Sequence, residues 1–299
     1  MKAILGRAID RTIKQRVTAS YPVYVFAKRI VSAFENHDVV MQTNGEHWLL
    51  SRIALGGPVT ALDVGANQGE WVAGLLSVTP NARVICYEPV PSTFKSLRSK
   101  ICAPNVLLVN MGLSSGSGEL TINSVIDNCY ISSVHDVEFY QEGHQIEAVS
   151  VQASTGDAEM ATHRLSHIHI VKVDAEGHDL DVIKGFQHAI NSETVDMFQF
   201  EYNQFTLAAR RALRDFYSLF GSRYLLCRLL PRGLEACGYH PVLDNFGQSN
   251  WVAVRRGMID EAVIRRFAIR PAEGVPGATL AKSLKDDLKL AEILGVAVP

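Results

Sequence analysis

The sequence predicts an α/β protein built around a doubly wound, mainly parallel β-sheet. Apolar runs at 59–64, 83–88 and 106–110 have the length of buried strands, and segments with helical periodicity at about 68–77 and 92–101 separate them. This alternation is typical of a parallel sheet covered by helices. Because right-handed crossovers place every loop that follows a strand on the same edge, we expect residues at the strand ends to form one site.

A glycine-containing loop follows the first predicted strand. Asp63 lies near the end of that strand, and Gly65-Ala-Asn-Gln-Gly69 leads into the first helix. Glycine lets a backbone approach a ligand closely and adopt dihedral angles that other residues avoid. The loop, with Gly65, Ala66 and Gly69, therefore predicts a small-molecule site.

The second predicted strand ends in an acidic residue, Glu88, followed by Pro89. An acid at this position of a doubly wound sheet hydrogen-bonds a ribose diol, so the sequence indicates a nucleoside-containing cofactor. A dinucleotide loop has a glycine where Asn67 stands, because the pyrophosphate lies against the turn. S-adenosylmethionine has no pyrophosphate and tolerates a side chain there, and Asp63 is placed to orient the loop or reach its ammonium group. An NAD-dependent oxidoreductase and a non-catalytic cofactor-binding module remain the alternatives.

Four segments in this order resemble the FkbM family of S-adenosylmethionine-dependent methyltransferases. They are Leu-Asp-Val-Gly-Ala-Asn-Gln-Gly, Tyr-Glu-Pro, Val-Asn-Met-Gly-Leu-Ser-Ser and Ile-Val-Lys-Val-Asp-Ala-Glu-Gly, within a matching region of about 59–255. The resemblance implies a class I methyltransferase, Rossmann-like fold and O-methylation of a hydroxyl on a sugar, glycolipid or secondary metabolite. It also implies adenine contacts at the end of the third strand, at Gly112, Leu113 and Ser114. The sequence departs from the family pattern at two places: His178 and Asp179 follow Gly177, and Tyr202 follows Glu201.

Candidates for the catalytic base lie at the ends of the fourth and fifth predicted strands. Methyl transfer is an in-line displacement, and a hydroxyl acceptor benefits from a positioned base. Asp174, Glu176 and His178 follow the strand at 168–173, and Glu201 ends the strand at 197–200. Glu176 also suits a helix N-terminus, and a loop histidine is equally common facing solvent. Asp174 and Glu201 lack an evident third oxygen ligand, so no metal site is predicted.

The sequence divides into three predicted regions: a helical N-terminal extension at 1–57, a cofactor-binding methyltransferase domain at 58–256, and a tail at 257–299 with a short helix near 281–294. Alternating segments at 119–123 and 146–152 predict a β-rich insertion over the site. Helices are expected at 179–189 and 207–219. Two further strands are expected at 224–229 and 250–255, where they would close the sheet in a parallel or an antiparallel direction.

Composition narrows the class of protein. The 299 residues are 47% hydrophobic and 20% charged, with a net charge of −2, which excludes a disordered chain and disfavours a nucleic-acid-coating protein. Five scattered cysteines without metal spacing fit a reducing compartment. No apolar run has the length of a bilayer span, so we expect a cytoplasmic protein.

The N-terminal 35 residues carry seven Lys and Arg against two acidic residues, a net charge of +5. Apolar residues at helical spacing accompany this charge. The segment is interpreted as a helical cap on the core or on a second subunit in a homodimer, in preference to a peripheral contact with an anionic membrane. The expected acceptor is a small molecule, a sugar or a glycolipid, and no nucleic acid is expected.

Overall fold

The computed structural model describes residues 20–126, 132–137, 142–272, 280, 284 and 287–297. The helices in chain order are α1 Ser20–Phe34, α2 Met41–Asn44, α3 Glu46–Ala54, α4 Glu70–Val78, α5 Pro91–Lys100, α6 Gly156–Thr162, α7 Asp179–Lys184, α8 Gln187–Asn191, α9 Gln204–Ala208, α10 Leu213–Phe220, α11 Glu261–Phe267 and α12 Leu288–Ile293. The strands are β1 Thr60–Val64, β2 Arg83–Tyr87, β3 Val106–Val109, β4 Gly112–Leu113, β5 Gly118–Val125, β6 Ile146–Ser154, β7 Ile168–Val173, β8 Val195–Tyr202, β9 Tyr224–Leu230, β10 Gly233–Ala236, β11 Ser249–Arg255 and β12 Ile269–Pro271. Short 3₁₀ turns occupy Pro241–Leu243 and Arg256–Met258.

A nine-stranded sheet forms the centre of the described chain, in the order β12-β10-β9-β11-β8-β7-β1-β2-β3. Neighbouring strands pair in parallel along the series β3-β2-β1-β7-β8. Beyond β8, strands β11 and β9 close the sheet by antiparallel pairing. The chain winds from β1 towards β3 on one side and returns through β7 and β8 on the other. The predicted doubly wound α/β fold is therefore confirmed, and the strand order reverses beside β1, where such sheets bind ligands.

The sheet register brings four strand ends to one level. Val64 of β1 pairs with Tyr87 of β2 and with Val173 of β7, which in turn pairs with Phe200 of β8. The residues that follow these four, including the glycine loop and three predicted acidic residues, must therefore lie along one edge.

The insertion forms a separate three-stranded sheet, in the order β4-β6-β5. β5 and β6 pair antiparallel along their length, from Gly118 with Ala153 to Val125 with Ile146, and β4 runs parallel to β6. The predicted β-rich insertion is present in this form.

Two predicted helices are each split. The 179–189 segment forms α7 and α8, which are separated by Gly185 and Phe186. A Cβ at Gly185 would lie 2.2 Å from the Ser114 carbonyl oxygen, so the chain approaches that loop closely there. The 207–219 segment forms α9 and α10, because Arg210 adopts a left-handed conformation with φ of 55°. The apolar periodicity of the sequence reveals neither break.

The region predicted as a polar tail adds structure to the central sheet. β12 pairs in parallel with β10, and neither strand was predicted. Both are short, with three and four residues, which leaves too little sequence for an alternating pattern. The final helix, α12, covers six residues of the longer helix expected at 281–294, part of which lies outside the described residues.

The N-terminal region has two different surroundings. In α3, Leu49, Leu50 and Ile53 are buried in the core, as expected of a helix that docks on it. In α1, only Ser20 is buried, so the prediction of a cap on the core is wrong for 20–34. Residues 1–19 lie outside the described residues. Of the helices described, none combines the length and the apolar character needed to cross a bilayer.

Candidate active site

A cavity of about 1080 Å³ opens at the aligned ends of β1, β2, β7 and β8. Most of the predicted site residues contribute to its lining: Asp63, Gly65, Ala66, Asn67, Glu88, Pro89, Gly112, Leu113, Asp174, Glu176, His178 and Glu201. Gly69 and Ser114 do not line it. The insertion closes one side through Leu120 and Ile122. The residues predicted to bind the cofactor and the residues predicted to act in catalysis thus line the same cavity.

The glycine loop is fixed by close backbone packing. Gly65 has φ of 79°, and a Cβ there would lie 1.8 Å from the Asp174 carbonyl oxygen, so no other residue fits. The amides of Gly65 and Ala66 both donate to the Tyr87 carbonyl, at 2.9 and 3.0 Å. Gly69 instead begins α4, where a Cβ would lie 2.7 Å from the Ile101 side chain. The loop is held between β2 and β7 while its outer surface faces the cavity.

Glu88 binds the loop as well as facing the cavity. Its two carboxylate oxygens accept hydrogen bonds from the amides of Asn67, at 3.0 Å, and Val90, at 2.9 Å. Burial raises the pKa of Glu88 to about 7 against the opposing effect of these donors. Each carboxylate oxygen has a second lone pair available, so the residue can also accept from a ligand hydroxyl.

Asp63 is almost fully buried, with 1% of its surface exposed, and it lines the cavity. Its Oδ2 atom has no hydrogen-bond partner among the described residues. Burial raises the pKa of Asp63 to about 7, and the nearby Lys172 opposes this rise. An unpaired buried carboxylate oxygen is costly, and a cationic ligand group would satisfy it.

The end of β3 supports the site in two ways. The Asn110 amide donates to the carbonyls of Glu88 and Pro89, at 2.8 and 2.9 Å. Ser114 Oγ lies 2.9 Å from His178 Nε2, so Ser114 positions the histidine and does not face the cavity. Gly112 and Leu113 do form part of the wall.

Lys172 lies at the centre of the acidic edge, with 3% of its side chain exposed. Its Nζ atom is 3.1 Å from Asp174 Oδ2 and 3.8 Å from Glu46 Oε1. Burial lowers the pKa of Lys172, but the surrounding carboxylates, Asp174 first, raise it by more, so it stays charged. The lysine therefore neutralises part of a densely acidic wall.

Glu201 presents a carboxylate of raised basicity to the cavity. Its Oε2 atom accepts hydrogen bonds from Gln248 Nε2, at 2.8 Å, and from Asn203 Nδ2, at 3.2 Å. Burial, followed by the negative charge of Asp174, raises the pKa of Glu201 to about 8. A carboxylate that is oriented by two amides and has a pKa near neutrality suits proton transfer.

Glu176 lies in a strained turn that the insertion contacts. Its φ is 45°, and the next residue, Gly177, would clash with the Phe205 carbonyl if it carried a Cβ. The Glu176 carbonyl accepts a 2.6 Å hydrogen bond from Ser133 Oγ of the insertion. Burial and then the charge of Asp174 raise the pKa of Glu176 well above its ordinary value.

His178 is buried, and burial lowers its pKa to about 4. The imidazole is therefore neutral at neutral pH. Asp179, by contrast, does not line the cavity, and it accepts a hydrogen bond from the Gly177 amide at 3.1 Å. That contact supports the turn, as expected of an acidic residue at a helix N-terminus.

Several residues in or beside the cavity were not identified from the sequence, and Glu46 and Gln199 are two of them. Glu46 lines the cavity from α3, and Gln199 of β8 donates a 2.6 Å hydrogen bond to it. Nothing local to Glu46 indicates this role, because its two partners in the central sheet, Gln199 and Lys172, lie far along the chain. Gln199 did carry a signal, since a polar residue interrupts the apolar strand Met197-Phe-Gln-Phe200 and is fully buried.

The parallel sheet with its antiparallel closing strands has the class I, Rossmann-like fold of methyltransferases. The family model described as the methyltransferase FkbM domain matches residues 63–240, and the chain belongs to that family. A relative from Haloferax volcanii, the hexuronic acid methyltransferase AglP, is 30% identical over 132 residues, which are 44% of this chain and 51% of that protein. The chain thus matches about half the length of this relative.

Solved structures with related topology are far more distant in sequence. The precorrin-6y C5,15-methyltransferase of Geobacter metallireducens is 14% identical, with a TM-score of 0.38 over 70% of this chain and 87% of that one. The N-terminal domain of human METTL16, in complex with SAH, is 9% identical, with a TM-score of 0.39 over 73% of this chain and 71% of that one.

Proposed function

We propose that this protein uses S-adenosylmethionine to methylate a hydroxyl group of a neutral sugar or sugar-containing lipid. The observation that carries the proposal is the shared cavity, in which the Gly65 loop, Glu88 and Asp63 face Asp174, Glu176 and Glu201. The chemistry that S-adenosylmethionine supplies when bound is an electrophilic methyl group. The protein has to hold it, orient the acceptor and take a proton.

The residues of the glycine-loop half fit that cofactor. Glu88 can accept hydrogen bonds from the ribose hydroxyls, and the unpartnered Asp63 Oδ2 suits the ammonium group. Gly112 and Leu113, which line the same cavity, would contact the adenine. Asn67, with φ of 46°, stands where a dinucleotide loop has glycine, which favours this cofactor over NAD.

Glu201 is the proposed general base for the acceptor hydroxyl. Gln248 and Asn203 hold its Oε2 atom, so Oε1 is left to accept the acceptor's proton. Asp174 and Lys172 form an ion pair beside it and position the polar wall. His178, neutral and bonded to Ser114, shapes the wall and is a weaker base because its pKa is low.

The charge of the cavity favours a neutral acceptor. Among the described lining residues, Lys172 is the sole lysine or arginine, and it already pairs with Asp174. A uronic acid would bring a further carboxylate into this cavity without a free lysine or arginine to pair with it, which is unfavourable in a buried site. The acceptor would therefore differ from the hexuronic acid in the name of the Haloferax relative.

A paired acceptor screen tests this proposal. Radiolabelled S-adenosylmethionine is supplied with matched glycans that differ in carrying a hexose or the corresponding hexuronic acid. We expect label to enter the hexose series in an alkali-stable ether linkage, and Glu201→Gln to slow this labelling by roughly 10²–10⁴-fold. Preferential labelling of the uronic acids, or labelling of nitrogen or carboxylate positions, would contradict the proposal.

Helix α1 supports a lipid-linked acceptor in particular. Its large apolar side chains are exposed, with Phe26 at 67% and Phe34 at 63%, and Lys28 and Arg29 lie on the same helix. The chain then reaches Val39 and Val40, which are exposed and line the cavity. We propose that this helix lies on an anionic membrane, with each basic residue near the surface contributing about 1 kcal/mol.

Sedimentation with anionic vesicles tests the role of α1. We expect the full chain to bind, more strongly at low salt, and Phe26→Asp to lose most of the binding. Leu207→Asp is a matched control, because Leu207 is 53% exposed but lies on α9. If the protein is instead a dimer that stays in the supernatant at every salt concentration, and Phe26→Asp makes it monomeric, α1 is a subunit interface.

A further inference from the structure

A cluster of nitrogen and oxygen donors lies beside the active-site cavity. His135, His178 and Asp181 each offer one ligand atom, and these three atoms lie within 4.8 Å of one another. His135 belongs to the insertion, whereas His178 directly precedes α7 and Asp181 lies in its first turn. The two imidazole rings are 5.6 Å apart between centroids and tilted by 44°. The cluster therefore bridges two parts of the chain.

Both histidines carry an unsatisfied buried nitrogen. His178 is 8% exposed; its Nε2 atom contacts Ser114 Oγ, but its Nδ1 atom has no hydrogen-bond partner among the described residues. The same is true of His135 Nε2. Buried polar atoms normally have a partner, so two unpaired imidazole nitrogens in one cluster indicate a missing ligand.

We propose that His135, His178 and Asp181 bind a Zn²⁺ ion, which fastens the insertion to the start of α7. Two imidazoles and one carboxylate form a donor set that zinc accepts, with a fourth position left for water. Ser114 supports the set from outside, because its contact with His178 Nε2 leaves Nδ1 for the metal.

Two cations already contact Asp181. Lys184 Nζ lies 2.9 Å from Asp181 Oδ1, and Arg211 Nη2 lies 3.3 Å from Oδ2. The side chains of Lys184 and Arg211 are 36% and 37% exposed, so either can turn towards solvent. A carboxylate also has about four acceptor positions, which lets Asp181 bind a metal and keep one of these contacts.

A second histidine cluster provides a natural control. His167, His169 and Asp196 also place three donor atoms within 4.8 Å, at the opposite edge of the sheet. There His169 Nδ1 accepts a 3.0 Å hydrogen bond from the Thr60 amide, and His167 Nε2 lies 3.1 Å from Asp196. One ring nitrogen of each histidine thus has a partner, His167 is 41% exposed, and no atom of this cluster is among the buried unsatisfied atoms of the described residues.

Zinc titration of the chelator-treated full chain tests the proposal, with ZnCl₂ as the probe and calorimetry as the readout. We expect one site in the wild type, weakened roughly 100-fold in His135→Ala, the upper end of the loss caused by removing even an outer-shell partner. His167→Ala should bind as the wild type does. Circular dichroism establishes that each variant is folded. If His135→Ala is not folded, His135→Gln is used in its place.

Hydrogen exchange in segment 132–137 provides an independent readout. We expect zinc to slow exchange there in the wild type and not in His135→Ala. Absence of a zinc site in the wild type would overturn the proposal, as would a site that His135→Ala leaves intact or that His167→Ala removes. Neither readout depends on methyl transfer, so failure here is separate from failure of the proposed reaction.

Discussion

Glu46 Oε1 accepts a 2.6 Å hydrogen bond from Gln199 Nε2, which joins the N-terminal helix α3 to the central strand β8. Glu46 Oε2 accepts a second bond, at 2.9 Å, from Asn44 Nδ2, and Lys172 lies 3.8 Å from Oε1. Three separate parts of the chain therefore meet under the cavity through one carboxylate. Because these groups are buried, each depends on its partners for stability.

Replacing Glu46 tests the importance of this junction. We expect Glu46→Ala to lower the free energy of unfolding by about 2 kcal/mol, because Gln199 and Lys172 lose a buried acceptor. Glu46→Gln should cost less, since its amide oxygen can still accept from Gln199. Urea denaturation measures both. Glu261→Ala, at a side chain that is 75% exposed, should change stability by less than about 0.5 kcal/mol, and an equal loss in both alanine variants would refute the junction.

Glu88 should determine cofactor affinity. We expect Glu88→Ala to weaken binding of S-adenosylhomocysteine by about 1.5–3 kcal/mol, because a ribose acceptor is lost and the Asn67 amide loses its partner. Calorimetry measures the change, and Glu147→Ala, on the exposed side of β6, provides a control. Unchanged affinity in Glu88→Ala would mean that the ribose lies elsewhere.

The pH dependence of the rate should identify Glu201 as the base. A base must be deprotonated to accept a proton, so activity should rise with pH. The apparent pKa of this rising limb should lie well above 4.5, the ordinary value for a glutamate, and towards about 8. Glu201→Gln should lower kcat by roughly 10²–10⁴-fold and remove that limb while cofactor affinity changes little. A limb that persists in Glu201→Gln would assign the proton transfer to another group.

Asp179 should make stability fall as the pH rises. Burial raises the pKa of Asp179 from 3.8 to about 7, so the folded chain binds more protons than the unfolded chain between these values. Its contribution is greatest below the lower value and is lost as the pH rises through the higher one. Asp179→Asn removes this titration, so we expect the variant to gain stability relative to wild type between about pH 5 and about pH 8. Urea denaturation at both pH values measures the difference, and a constant difference would contradict the assignment.

Much of the cavity could be predicted because its signals are local. Gly65 and Glu88 lie at a fixed distance from a strand end, and the parallel register then forces Asp174 and Glu201 to the same edge. Such positions follow from strand periodicity and the connection rules alone. Their roles in binding and catalysis remain predictions.

The remainder depended on long-range packing. Glu46 contacts Gln199 across 153 residues, and no pattern near Glu46 specifies this pairing. The break between α9 and α10 arises from the left-handed conformation of Arg210, which its residue type does not favour. The exposure of Phe26 on α1 is likewise a property of what the rest of the chain leaves uncovered.

Cofactor binding by the unmodified full chain is the most direct test of the central claim. Calorimetric titrations with S-adenosylhomocysteine and with NAD compare the two nucleoside cofactors at the same cavity. We expect S-adenosylhomocysteine to bind at one site per chain and NAD to give no specific heat, because Asn67 stands where the pyrophosphate would lie. Tight binding of NAD without any response to S-adenosylhomocysteine would contradict the assignment of this cavity to methyl transfer.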